Sequence, residues 1–214
     1  MEKLLTLLSI LQLTRQQPLT GFTIAGIKKT ELPNLASHHY TAALSAMLVS
    51  RHIKKLGGHI DSEKIVAMML IHDLGELFGG DISTPLSRTY PELREYKNKI
   101  GDRAIELLAR DLPEGLKKDF LGLYKDCETK NSDEYWVVKF FDQLDHQFFL
   151  EHYNYGFGMP EKQDGFRDFV MDKHIGALLE NISDQIAREY LQKLFITYKE
   201  KFYKQGFVGL NELL

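Results

Sequence analysis

Apolar side chains recur every three to four residues along most of the chain, the spacing that places them on one face of an α-helix. No stretch shows the sustained period-two alternation that a half-buried strand requires. The pattern predicts an all-α fold, a helical bundle of about eight helices. Their predicted bounds are Glu2 to Thr14, Ser37 to Leu56, Ser62 to Phe78, Pro91 to Arg110, Pro113 to Lys125, Ser132 to Tyr153, Gln163 to Asn181 and Asp184 to Gln205.

The predicted helices are expected to form a single domain over 1–214. The length of 214 residues suits one domain with a sizeable core, and no repeat, low-complexity tract or Pro/Ser-rich linker interrupts it. The last part, about 160–214, is interpreted as a supporting or dimerisation extension. Its aromatic residues fit either a homodimer contact or a stripe facing the core, and they are Phe195, Tyr198, Phe202 and Tyr203.

Charge and cysteine content narrow the possible partners and compartment. A net charge of -3 leaves no basic surplus for holding a nucleic-acid polymer through its phosphates. The single cysteine, Cys127, excludes an intramolecular disulfide and fits a reducing compartment. The apolar start of the chain contains Glu2 and is too short to span a bilayer. We therefore expect a cytoplasmic protein without a membrane partner.

The stretch IHDLGELFGGD, residues 71–81, concentrates groups that bind metal ions or move protons. If 62–78 is one helix, His72 and Glu76 share a face, and Asp73 is turned about 100° from His72 around the axis. A metal ion between these directions could be bound by both His72 and Asp73. Imidazole with carboxylate suits Zn, Mn, Fe, Co or Ni better than Ca. Two ligands do not hold a catalytic metal, so others must come from elsewhere in the chain.

Further ligands are available before and after this stretch. His38 and His39 begin an Ala-rich helix, and either could be the first ligand. In WVVKFFDQLDHQFFLEH, Asp142 lies among aromatic residues, where an acid is costly to bury unless it is paired or metal-bound. Asp142 is preferred to Asp145 and His146, which turn further round the helix.

The order His38, His72-Asp73, Asp142 on an all-helical chain resembles the HD-domain metal-dependent phosphohydrolases. The surroundings resemble the branch of bacterial and eukaryotic 5'-deoxynucleotidases. The resembling stretches are LQLTRQQPLTGF, SHHYTAALSA, KIVAMMLIHDLGELFGGDISTP and CETKNSDEYWVVKFFDQLD. In the family register, His38 with Tyr40, Ala43 and Ala46 fits the metal histidine better than His39 does, although the family usually has an acid where this chain has Ser37.

The resemblance implies that His38, His72, Asp73 and Asp142 hold one divalent transition metal. The ligand types allow Mn, Co, Ni, Zn or Fe, and Mg is also allowed. The expected substrate is a small nucleotide, hydrolysed by water that attacks phosphorus. One helical turn beyond His72, Glu76 would face the same cavity and could handle a proton. By the resemblance, Asp81 belongs to the catalytic site and approaches the sugar hydroxyl. Thr84 could add a hydroxyl to the same pocket or serve as a local cap. Arg15 matches the arginine that contacts the substrate phosphate, a task suited to its permanently charged fork.

The predicted function is hydrolysis of deoxyribonucleoside 5'-monophosphates to deoxynucleoside and phosphate. One alternative is another HD phosphohydrolase, acting on nucleoside polyphosphates or signalling nucleotides. A second alternative, from a different class, is a non-catalytic helical module that binds metal or nucleotide. The presence of Glu76 and Asp81 beside the ligands favours an enzyme, because a purely structural site needs only the ligands.

Overall fold

The computed structural model describes residues 2–25, 27–82, 84–153 and 175–200. In these ranges the α-helices are α1 Glu2–Ile10, α2 Leu35–Lys55, α3 Ser62–Met69, α4 Glu76–Gly79, α5 Thr84–Thr89, α6 Glu92–Ala109, α7 Glu114–Glu128, α8 Asp133–His152, α9 Gly176–Glu180 and α10 Gln185–Tyr198. Three 3-10 helices lie at Leu11–Arg15, Thr20–Ala25 and Lys29–Glu31. The described ranges contain no β-strand, only an isolated bridge between Pro18 and Asn34. The predicted all-α fold is confirmed.

The predicted continuous helix over 62–78 is wrong, because α3 ends at Met69 and α4 begins only at Glu76. In a continuous α-helix the Met69 carbonyl would accept the amide of Asp73. It lies instead 2.9 Å from Nδ1 of the His72 ring. Between the two helices, backbone amides donate to the carbonyl three residues earlier, as in a 3-10 helix. One example is the hydrogen bond from Leu74 N–H to Ile71 O at 2.9 Å. The histidine side chain thus replaces a backbone donor and interrupts the helix.

Other boundaries also differ from the sequence prediction. α5, Thr84–Thr89, was not predicted. The predicted helix 163–181 lies largely outside the described residues, which contain its end as α9. α10 replaces the predicted helix 184–205, of which 201–205 lie outside the described residues. None of the helices in the described ranges is long and apolar enough to cross a membrane.

The chain divides into two compact units, Met1–Thr41 with Ala67–Thr129 and Ala42–Val66 with Lys130–Leu214. The prediction of a single domain over 1–214 stays a prediction. In the first unit, α6 contacts α4, α5 and α7. Its buried face supplies core residues, which are Ala104, Ile105, Leu108 and Ala109. α6 is therefore the central support for the turn that carries the predicted site.

The second unit is built around α8, α9 and α10. The start of α8 is capped by Ser132, whose hydroxyl accepts the Tyr135 amide at 3.2 Å. Asp133 accepts the Ser183 amide at 2.7 Å and the Asp184 amide at 2.8 Å, which ties the start of α8 to the start of α10. Apolar packing completes the unit, since α9 contacts both α8 and α10.

The aromatic residues near the C-terminus contribute to the second unit's core. Phe195 is 5% exposed and Tyr198 is 3% exposed. The Tyr198 ring lies 5.2 Å from the Phe148 ring, edge to face. Phe202 and Tyr203 lie outside the described residues. For Phe195 and Tyr198, the core-facing interpretation of the aromatic stripe accounts for the packing.

Gly75 lets the turn before α4 approach α6 closely. A Cβ at this position would lie 2.5 Å from the Tyr124 hydroxyl and 3.0 Å from the Gly101 Cα. Tyr124 is buried on α7, so its ring has little room to retreat. We expect Gly75→Ala to reduce the free energy of unfolding by about 1–3 kcal/mol through overpacking. Urea unfolding followed by circular dichroism measures this change.

Gly122→Ala on α7 is the matched control. A Cβ at Gly122 meets nothing within 4 Å. Alanine in a helix interior is favoured over glycine by roughly 0.5–1 kcal/mol. The control is therefore expected to stabilise slightly. Equal effects of the two substitutions would contradict the close approach at Gly75.

Candidate metal centre

His38 is positioned by the first turn of α2. Asn34 and Ser37 form a reciprocal cap there: the Ser37 amide donates to the Asn34 side-chain oxygen at 2.9 Å, and the Asn34 amide donates to the Ser37 hydroxyl at 3.2 Å. The residue before His38, where the resembling family usually has an acid, thus caps this helix. His38 follows Ser37 in this capped first turn and is 1% exposed.

His72 is held with one ring nitrogen toward the backbone and the other toward His38. A carbonyl oxygen can only accept, so the 2.9 Å contact with Met69 O requires the proton of neutral His72 on Nδ1. Nε2 is then left with a lone pair, the state that binds metal ions. This Nε2 lies 3.3 Å from Nε2 of His38.

Asp73 brings a carboxylate oxygen to the same place. Its Oδ2 is 3.2 Å from His72 Nε2 and 4.0 Å from His38 Nε2. The two imidazoles are fully buried, and the Asp73 side chain is 21% exposed. Two nitrogens and one oxygen therefore converge on one side of the turn that ends α3. This mixed donor set suits a divalent transition metal better than calcium.

Asp142, the predicted fourth ligand, belongs to the second unit. Within the first unit, His38, His72 and Asp73 each offer one ligand atom, and these atoms lie within 4.8 Å of one another. On α8, Asp142 is 5% exposed, and its carboxylate lies 3.6 Å from both Lys139 Nζ and His146 Nε2. This buried acid therefore has charged or titratable neighbours on its own helix.

His39 is buried close to the group without belonging to it. Its ring lies 4.9 Å from the His72 ring and 5.8 Å from the His38 ring. Of the two adjacent histidines, His38 is the one whose ligand atom joins the group. Sequence alone left this choice open.

Glu76 is the first residue of α4. Its backbone amide donates to the Asp73 carbonyl at 2.9 Å, so Glu76 directly follows the turn that carries His72 and Asp73. Its side chain is 14% exposed. The pKa of Glu76 is raised to about 8, mainly by burial and then by the negative charge of Asp73. Lys97 lowers this pKa, and Asp81 raises it by a smaller amount. A carboxyl group in this range can exchange a proton near neutral pH.

Asp81 follows a turn that depends on glycine. Gly80 has φ 69°, which favours glycine over other residues. A Cβ at Gly79 would lie 2.5 Å from Ile100 Cγ2 on α6. The half-buried Asp81 forms a very short ion pair with Lys97 through Oδ1. The turn at Gly79-Gly80 thus places Asp81 against Lys97 of α6.

Lys97 is the residue that sequence reasoning missed. Its ammonium contacts Glu76 Oε1 at 2.9 Å and also Oδ1 of Asp81. Burial alone would lower the pKa of Lys97, but Glu76 and Asp81 hold it well above its ordinary value, so Lys97 remains charged. The sequence signal is only one lysine in a charged helix, which does not distinguish it from Lys99 two positions later.

Arg15 and Thr84 are described less fully than the other predicted residues. Arg15 ends a 3-10 helix and is exposed, and it makes no ion pair with the described residues. Gln17, two residues later, lies beside the turn before Asp81, since a Cβ at Gly80 would be 3.6 Å from Gln17 Nε2. Thr84 is the first residue of α5, and its side chain is outside the described part of the structure.

Comparison of the sequence with known proteins identifies relatives of this chain. The chain matches the HD domain family over residues 13–195. It is 29% identical over 142 residues to the 5'-deoxynucleotidase HDDC2 of Bos taurus, covering 66% of this chain and 63% of the relative. It is 31% identical over 112 residues to the 5'-deoxynucleotidase VV1113 of Vibrio vulnificus, covering 52% and 57%. The chain thus matches somewhat less than two thirds of these relatives' lengths.

Solved structures share the fold. A conserved hypothetical protein from Pyrococcus furiosus superposes with a TM-score of 0.65 at 23% identity, covering 92% of this chain and 99% of that protein. A structure described as a predicted metal-dependent phosphohydrolase from Magnetospirillum magnetotacticum gives a TM-score of 0.62 at 17% identity, covering 93% and 92%. At these identities the likeness concerns the helical fold alone.

Proposed function

Because the chain belongs to the HD-domain family, we propose that it is a metal-dependent phosphomonoesterase that hydrolyses deoxyribonucleoside 5'-monophosphates to deoxynucleoside and phosphate. The observation that carries the proposal is the convergence of the His38, His72 and Asp73 ligand atoms beside a half-buried acid, Glu76. The names of the relatives support the same reaction. A purely structural metal site would not need the acid.

One divalent ion held by His38, His72, Asp73 and Asp142 is the proposed cofactor. Two imidazole nitrogens and two carboxylate oxygens suit Mn, Co, Ni, Zn or Fe, and Mg is also allowed. The Nδ1 proton of His72, directed to Met69 O, supports this assignment because it leaves Nε2 unprotonated. When bound, such an ion would polarise the phosphoryl group and lower the pKa of a water molecule.

Glu76 is proposed to move the proton. As the new P–O bond forms, its carboxylate takes a proton from the attacking water. As the bond to the 5'-oxygen breaks, a proton passes to that oxygen, and the nucleoside leaves as an alcohol. The pKa of about 8 at Glu76 supports this role, because a group that takes and returns a proton works best with a pKa near the operating pH.

Arg15, Asp81 and Thr84 are proposed to bind substrate. The exposed guanidinium of Arg15 would hold phosphate oxygens in its planar fork, and Asp81 would accept a hydrogen bond from the sugar hydroxyl. Thr84 would add a hydroxyl to the same pocket. The contact between the Gln17 and Gly80 positions supports a shared pocket, because it brings the segment after Arg15 beside the turn before Asp81.

A homodimer and a cytoplasmic location complete the proposal. The resemblance to the 5'-deoxynucleotidases supports the dimer. The single cysteine, Cys127, is a buried thiol without a second cysteine to form an intramolecular disulfide, which fits a reducing compartment. Light scattering of the purified chain measures the subunit count.

Phosphate release from a nucleotide panel tests the proposed reaction. Chelator-stripped protein receives Mn, Co, Ni, Zn or Mg and is offered deoxy- and ribonucleoside mono-, di- and triphosphates. We expect release from deoxymonophosphates only, and only with metal. Release confined to polyphosphates would instead indicate another HD phosphohydrolase. Metal binding with every nucleotide intact would indicate the non-catalytic module.

A further inference from the structure

Lys97 links the two acids that the proposed reaction uses for different purposes. It projects from α6 toward the turn that carries Glu76 and Asp81, and its side chain is 35% exposed. Its ammonium contacts Oε1 of Glu76 at 2.9 Å and forms a shorter ion pair with Oδ1 of Asp81. One cation therefore holds one oxygen of each acid.

We propose that Lys97 is a positioning residue that clamps Glu76 and Asp81 by one oxygen each, so that the second oxygen of each faces the substrate. The inference rests on the proposed function, in which Glu76 moves a proton and Asp81 binds the sugar. It adds a residue that sets the geometry of both tasks and thereby the preference for deoxyribonucleotides.

The second oxygen of Asp81 faces Gly21. A Cβ at Gly21 would lie 3.7 Å from Asp81 Oδ2, so this oxygen faces a position without a side chain. Gly21 belongs to the segment that follows Arg15, the proposed phosphate-binding residue. A sugar hydroxyl entering there would donate to Oδ2 while Lys97 retains Oδ1.

Charge gives a reason for the clamp. Two carboxylates that share one ammonium repel each other, and each disfavours the ionised form of the other. Lys97 adds one positive charge beside the two acids, so the three groups together are one unit less negative than the acids alone. A substrate phosphate nearby is itself negative. Lys97 therefore keeps the acids close together without building a site that repels the substrate.

The clamp is separable from the fold. The close approach of Gly75 to Gly101 brings the backbone of the turn against α6 independently of Lys97. Lys97→Met keeps an unbranched side chain that is one atom shorter, and it removes the charge and the donors. Lys99→Met is the matched control on the same helix, because Lys99 is 64% exposed and pairs with Glu95 at 2.6 Å.

The test is steady-state kinetics with a deoxyribonucleoside monophosphate on the metal-loaded protein. We expect Lys97→Met to lower kcat about 30-fold and to raise KM about 10-fold, because Glu76 and Asp81 each lose a charge-assisted hydrogen bond. Lys97→Arg should recover part of both changes, and Lys99→Met should stay within about twofold of the wild type. Bound metal per chain should be unchanged in all three variants.

A double-mutant cycle separates positioning from a general structural effect. Asp81→Asn should itself raise KM, and adding Lys97→Met to it should raise KM by less than about twofold, because the two residues act on the same hydroxyl. Calorimetry with the product deoxynucleoside should show the same pattern without turnover. If Lys97→Met fails to unfold cooperatively, Lys97→Gln is judged by the same criteria.

The outcomes distinguish the clamp from the proposed function. If wild-type protein hydrolyses the deoxymonophosphate, and the Lys97 variant keeps kcat, KM and deoxynucleoside affinity within about twofold, the clamp is wrong while the function stands. A full tenfold rise in KM in the Asp81→Asn background would also overturn it. If wild-type protein releases no phosphate from any nucleotide, the proposed function fails, and the clamp fails with it.

Discussion

His72→Ala is expected to leave the protein without its metal ion and without phosphohydrolase activity. His72 Nε2 lies close to both other proposed ligand atoms of the first unit. It is 3.3 Å from His38 Nε2 and 3.2 Å from Asp73 Oδ2. Mutating a residue that only hydrogen-bonds to a metal ligand already lowers metal affinity by about 10–100-fold. Removing the ligand itself should therefore exceed this loss. Metal analysis after dialysis, with the deoxynucleotide assay, measures both effects.

His52→Ala is the control for this substitution. His52 also lies on a helix but is exposed, with its ring 5.3 Å from Tyr190. It should retain wild-type metal content and activity. His72→Asn, which keeps a polar side chain, checks that any loss in the alanine variant is not caused by unfolding. Wild-type metal content in folded His72→Ala would contradict the assigned centre.

Glu76→Gln is expected to keep the metal and lose turnover. The amide has nearly the shape of the carboxyl group but cannot exchange a proton, so kcat should fall about 10²–10⁴-fold, the usual contribution of general acid–base catalysis. KM should change much less, because Glu76 is not among the proposed substrate-binding residues. Stopped assays at saturating deoxymonophosphate, with metal content determined on the same samples, give both quantities.

Glu95→Gln on α6 provides the comparison for Glu76. Glu95 pairs with Lys99 at 2.6 Å, and its side chain is 69% exposed. Its substitution should leave kcat unchanged within about twofold. If Glu76→Gln and Glu95→Gln retain the same kcat, Glu76 does not move the proton, and another group must be sought.

The helical fold could be predicted because its signal is local. Apolar spacing identified the helices that became α2, α6, α7 and α8, with ends within a few residues of those observed. The error at 62–78 has a local cause that the spacing does not reveal. Apolar residues continue to recur at helical spacing through His72-Asp73. In the structure, however, the Met69 carbonyl accepts a hydrogen bond from the His72 ring, and the helix ends there.

The candidate site could be predicted only as far as residue type and order allow. His38, His72, Asp73 and Asp142 were selected from the sequence as ligands. Of these, the three in the first unit offer ligand atoms within 4.8 Å of one another, and the four-ligand site stays a prediction. The family register favoured His38 over His39, and His38 is the one of the two whose ligand atom lies with those of His72 and Asp73. Lys97 was missed because its contacts with Glu76 and Asp81 span 21 and 16 positions along the chain, and no sequence period indicates such pairing.

Titration of metal into chelator-stripped protein tests the central claim most directly. Mn²⁺ is added stepwise, and both its binding and the hydrolysis of a deoxyribonucleoside monophosphate are followed on the same sample. We expect both to rise together and to level off at one ion per chain, since one group of four ligands is proposed. Full hydrolysis before any metal is added, or a saturated site that releases no phosphate, would contradict the claim.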